Sequence, residues 1–246
     1  MSLWLRRLLT KTAALKEPRQ RAAVFLAEMT RRSGEETVFV LRRIVELGWR
    51  HRSAEAKLLL DTAMDVIASG AWDGAHLEQV YRAAEAAGDG LVQAMLPLPG
   101  VFAASSAADA LPVPVYASDR PLTLGERKSL AARPNRRLIA LAVQDPHPQV
   151  IERLLANPKI TENDVVAIAA KRPNTGAVLR TVSRHPKWRI RPRVVRALVY
   201  NPHTPPAAAV SLVHLLPPPD VAMLERDPKA PPEARRFATE LNRLKP

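Results

Sequence analysis

Nine basic residues fall between Val165 and Pro219, and no aspartate or glutamate lies among them. Lys171, Arg172, Arg180, Arg184, Lys187, Arg189, Arg191, Arg193 and Arg196 make up the set, with Trp188 and His185 in the same stretch. The chemistry open to them is anion binding. Guanidinium groups pair bidentately with phosphate and carboxylate oxygens, and cationic side chains release counterions from a nucleic-acid backbone. The Trp188 indole adds a face on which a base stacks or which wedges a groove. The nine cations and Trp188 are the candidate binding residues. A plainer reading competes: arginines near helix carboxyl ends satisfy orphan carbonyls, and a tryptophan between repeats is packed. Arginine outnumbers lysine 28 to 9, so part of the excess is compositional.

Residues for bond-making chemistry are sparse. His51, His76, His147, His185, His203 and His214 show no metal-ligand spacing, so no metal site is expected. Asp61 and Asp65 lie four apart, a spacing that bridges a cation and is equally the solvated side of an amphipathic helix. Neither a Gly-rich phosphate loop nor a G-x-S-x-G elbow occurs. The chain has no cysteine, which excludes disulfides, thiolate catalysis and cysteine-ligated clusters and points to a reducing cytoplasm. No catalytic residue and no cofactor are expected.

The elements that must carry these residues are set out by proline. From Pro134 the stops fall at Asp145-Pro146, Asn157-Pro158, Arg172-Pro173, His185-Pro186, Asn201-Pro202, the run Pro217 to Pro219, and Asp227-Pro228. Proline lacks the amide a helix interior needs and pushes its predecessor out of the α region, so each pair ends a helix. Helices of two to three turns result, and none buries its apolar stripe without stacking on neighbours. The pattern predicts helices over 128–132, 137–143, 149–156, 162–170, 176–183, 192–200, 205–215 and 232–244, with a short turn around 222–224. Thr123-x-x-Glu126 and Thr161-x-x-Asp164 have capping spacing, and Thr204 stands as a cap ahead of Pro205.

The amino-terminal half reads as longer helices over 19–31, 37–49, 55–68 and 75–87, with Gly70 and Gly88 as stops. Ahead of them Leu5, Leu8, Leu9, Thr12 and Leu15 line one face beside Trp4, which fits a helix docked on its neighbour or lying on a membrane surface. That amino terminus is a poor signal peptide, with arginines where an apolar region belongs. The longest uncharged stretch, 197–219, is broken by prolines, so no membrane insertion is expected. Between the halves, residues 96–121 are rich in Pro, Ala and Ser; Val101, Phe102, Val113, Val115 and Tyr116 suggest a connector lying against the protein.

The apolar content is 47% but aromatics are only 4%, so the core is aliphatic. Net charge is +13, and residues 119–246 carry 23 basic against 11 acidic side chains. The expected architecture is all-α: a helical bundle over 1–95, a connector over 96–121, and a short α-solenoid over 122–246.

The series Leu154 to Thr161, Arg172 to Thr175 and Tyr200 to Pro205 resembles the leucine-rich repeat variant group, related to HEAT-like α-solenoids. The resemblance covers about residues 123–240 and implies a right-handed superhelix. A founding member of the group holds an iron–sulfur cluster on cysteines, which this chain lacks. The chain also resembles bacterial proteins of unassigned activity with the same proline-stopped tail. The functional expectation is a non-enzymatic interaction scaffold taking a protein partner with an acidic surface, with nucleic-acid binding through 171–196 as the alternative. A HEAT-like DNA glycosylase is a remote alternative that needs a carboxylate such as Asp145 or Asp164.

Overall fold

A computed structural model describes residues 3–50, 53–96, 111–116 and 120–244. The fold is all-α, with fifteen helices and no strand among the described residues. The chain divides into two compact units. No helix among the described residues is long and apolar enough to cross a membrane.

The first unit holds α1 (Leu3–Ala14), α2 (Pro18–Met29), α3 (Gly34–Arg50), α4 (Ala54–Ser69), α5 (Gly74–Ala86), α6 (Gly90–Met95), α14 (Pro218–Arg226) and α15 (Pro232–Arg243). Helical periodicity puts Val38, Leu41, Ile44 and Val45 of α3 on one face, where they are buried as α3 packs on α4 and α5. A Cβ at Gly48 would stand 3.0 Å from the Ala56 carbonyl oxygen and the Leu60 side chain, so glycine permits this close approach of α3 to α4. Ser33 and Glu36 bond reciprocally at the start of α3 as a capping box. Gly70 and Gly88 follow α4 and α5 at φ of 71° and 62°. Helix α1 spends its apolar face inside the unit: Leu5, Leu8, Leu9 and Thr12 are buried as α1 packs on α4.

The last two helices differ from the expected division. The sequence places residues 122–246 in one array, whereas α14 and α15 belong to the first unit, with α15 against α6. Ala234, Phe237, Ala238 and Leu241 of α15 are fully buried, and Arg236 donates to Gln93 Oε1 at 2.9 Å. An amphipathic pattern specifies which face is buried but not which helix covers it. Likewise the expected turn at 222–224 is the nine-residue α14, because the proline run supplies first-turn residues rather than only a stop. The six-residue α6 is too short to show periodicity in sequence.

The second unit holds α7 (Leu124–Ala132), α8 (Arg136–Ala142), α9 (Pro148–Leu155), α10 (Glu162–Ala170), α11 (Gly176–Arg184), α12 (Pro192–Val199) and α13 (Pro206–Val213). Helices pack on their second neighbours as well as their first: α7 on α9, α9 on α11, α11 on α13, and α10 on α12. This solenoid-like stacking buries stripes such as Val150, Ile151, Leu154 and Leu155 of α9. Capping boxes form at Thr123/Glu126 and Thr161/Asp164. Thr204 is not a cap for α13; its hydroxyl donates to Leu198 O at 2.7 Å and ties the end of α12, because Pro205 occupies the cap position itself.

Side chains in the turns staple each layer to the one before. Asn157, after α9, donates Nδ2 to Ala131 O and Arg133 O, both at 2.8 Å, at the end of α7. Lys171, after α10, donates to Gln144 O at 2.6 Å, just past α8. Trp188, after α11, donates Nε1 to Leu155 O of α9 at 3.1 Å. Asn201, after α12, donates to Ala169 O at 2.7 Å and Lys171 O at 3.0 Å at the end of α10. A helix leaves its last carbonyls without internal donors, and these bridges satisfy them where water is excluded. The amide oxygens of Asn157 and Asn201 meanwhile accept from Lys159 N and His203 N, closing a turn over each proline.

Asp145 holds the corresponding place before Pro146, and a carboxylate has no hydrogen to give a carbonyl. It instead accepts from Arg127 Nη1 at 2.6 and 2.7 Å, from His147 N, and from the Tyr116 hydroxyl. Burial, and secondarily the Asp145 charge, push the Tyr116 phenol well above its ordinary value. Of the connector residues expected to lie against the protein, Tyr116 is buried while Val113 and Val115 are exposed. Val101 and Phe102 lie outside the described residues.

Candidate binding surface

The structure separates the ten candidate residues into two groups. Lys171, Arg172, Trp188 and Arg189 are committed to the fold. Trp188 is only 3% exposed, and Lys187 Nζ stands 4.3 Å over its ring, so its indole is not a stacking platform. Arg189 is 7% exposed, with Nε donating to Ser183 O at 3.3 Å near the end of α11. Arg172 donates to Tyr200 O at 2.6 Å, and Lys171 bridges to Gln144 O. Partial burial of Lys171 lowers its ammonium from the ordinary value, an effect that Asp145 opposes. For these four, the capping and packing roles weighed in the sequence are the observed ones.

The other six remain at the surface. Arg180 and Arg184 lie one turn apart on α11, and Arg184 is exposed while Arg180 is half-buried. Lys187 and Arg191 are exposed in the loop between α11 and α12. Arg193 and Arg196 are exposed on α12, opposite the buried stripe of Val194, Val195, Leu198 and Val199. Arg193 donates to Asn163 Oδ1 at 2.7 Å, and the Arg196 guanidinium sits 5.9 Å from the Tyr200 ring. Among the described residues, Arg180, Lys187, Arg191 and Arg193 make no ion pair. Nearby, burial and then the Lys187 charge lower the His185 imidazole below its usual value, favouring the neutral form.

The acids earlier in the same unit are used differently. Arg120 pairs with Glu126, Arg127 with Asp145, and Arg136 with Asp164. Asp145 is 2% exposed and Asp164 is bound by Arg136 and Thr161, so both carboxylates named for glycosylase chemistry are engaged in structural bonds. Ion pairs of this kind engage three of the arginines at this end of the array and, among the described residues, none of Arg180, Lys187, Arg191 and Arg193.

Two features escape a reading of residue types. Ile190 is 61% exposed amid the basic loop, although it stands beside two buried residues. In the first unit, Trp4, Leu5, Arg32, Glu35, Glu36, Phe39 and Val40 line an open groove of about 480 Å³. There Phe39 is 61% exposed and the Arg32 guanidinium lies 3.6 Å from the Trp4 ring. Phe39 breaks the amphipathic pattern of α3 between Val38 and Val40, which is the signal that would have found it. Among the described residues no three His, Cys, Asp or Glu side chains gather as a metal site requires.

No protein-family model, curated protein or solved structure matches the chain.

Proposed function

We propose that the chain is a non-enzymatic interaction scaffold whose α11–α12 surface receives the acidic surface of a protein partner. The observation that carries this reading is the exposed set Lys187, Arg191 and Arg193, which makes no ion pair among the described residues and lies in a segment devoid of acids. Unpaired surface cations raise the local concentration of anionic partners and speed their association, an effect that falls with ionic strength. The burial of Trp188 favours a protein over single-stranded nucleic acid, because the base-stacking face is spent on packing.

The test is a purified partner, captured from the source cells and then reconstituted, measured against the wild type and a Lys187→Glu, Arg191→Glu, Arg193→Glu variant. Salt-sensitive binding that disappears in a variant with an unchanged helical spectrum supports the reading. Binding confined to duplex or single-stranded oligonucleotides would replace it with the nucleic-acid alternative. Undiminished partner binding by the triple variant would sink it.

A further inference from the structure

We infer that Ile190 is the apolar anchor of this surface, and that it takes an acidic segment carrying an aliphatic or aromatic side chain between its carboxylates; the inference rests on the binding reading above. A single exposed isoleucine is ordinary on a protein surface, so exposure alone says little. What distinguishes Ile190 is how it is held. Trp188 N and Arg189 N donate to His185 O at 3.1 and 2.9 Å, and Arg191 N donates to Trp188 O at 3.1 Å. The side chains of Trp188 and Arg189 point inward and are bonded there. On the other side Pro192 opens α12 and keeps Arg191 extended, at φ −84° and ψ 119°.

Ile190 therefore sits on a loop fixed before and after it, with its side chain presented outward. Pre-organisation lowers the conformational cost of docking, and an apolar centre inside a polar rim is the usual anatomy of a binding hot spot. Three exposed cations lie within three residues of Ile190 along the chain, Lys187 and Arg191 in the loop and Arg193 at the start of α12. Complementarity then asks for carboxylates around an apolar side chain. A purely acidic segment would satisfy these cations and leave Ile190 in water.

Two labelled peptides test this by fluorescence anisotropy, both short and rich in Asp and Glu, one with a central Leu and the other with Ser there. The full-length protein is expected to prefer the Leu peptide by about tenfold, the gain from burying one aliphatic pair. Ile190→Ser should abolish the preference, and the triple charge reversal should weaken the binding of both peptides. If both peptides bind but the wild type shows no preference, or Ile190→Ser retains it, the anchor is disproved and the electrostatic reading stands. If neither peptide binds at low salt, both fall together.

Discussion

The asparagines before Pro158 and Pro202 show how one side chain ends one helix while fastening another. Asn201 is fully buried and uses both its amide hydrogens and its oxygen. Asn201→Ala leaves Ala169 O and Lys171 O without that donor and is expected to cost about 2–4 kcal/mol, read from urea denaturation. Asn201→Asp should cost more, since it sets a carboxylate against two carbonyls. Asp164 makes a different, pH-dependent contribution. The Arg136 hydrogen bonds, helped by Thr161, hold its carboxyl down to about 2 from an ordinary 3.8. A folded value below the unfolded one gives stability that is present above about pH 4 and lost as pH falls towards 2. Arg136 is exposed, so solvent screens the pair and its contribution at neutral pH is modest. Asp164→Asn should flatten the denaturation midpoint over that acid range, and a midpoint that still falls as steeply would assign the loss to other carboxylates.

Bridges from one turn to the end of the second-previous helix make the array more than a row of short helices. Helices of seven to nine residues are marginal alone, so stability has to come from neighbours. Asn157 fastens α9 to α7 and Asn201 fastens α12 to α10, with no partner in common. Their alanine substitutions should add to within about 0.5 kcal/mol, and a larger deficit would mean that one junction opens with the other. Trp188→Phe keeps most of the ring but removes the donor to Leu155 O; it should cost about 1–3 kcal/mol. At this scale the sequence was most legible: proline stops, capping spacings and apolar stripes located α7 to α13. The staples were not legible, because an Asn-Pro pair announces a turn and says nothing of the carbonyls 24 to 32 residues earlier that its amide will reach. Charge was half legible for the same reason. Arg189 and Arg191 are alike as letters, yet burial makes one a structural donor and leaves the other on the surface.

For the whole molecule, chain order and packing part company at residue 218. Helices α14 and α15 follow the array in sequence but complete the unit built by α1 to α6. Phe237 is fully buried in α15, whose neighbours are α14 and α6, so Phe237→Ala should destabilise the first unit by about 3–5 kcal/mol through the cavity it leaves. The tryptophans provide separate reporters. Trp4, Trp49 and Trp72 lie in the first unit, with Trp72 buried edge-on to Phe25 at 6.0 Å, and Trp188 alone lies in the second. Phe237→Ala should therefore move the denaturation midpoint of a variant retaining only Trp72 further than that of a variant retaining only Trp188. Equal shifts would show that the two units unfold as one cooperative body. A larger shift at Trp188 would place the carboxyl-terminal helices with the array, as their position in the sequence suggests.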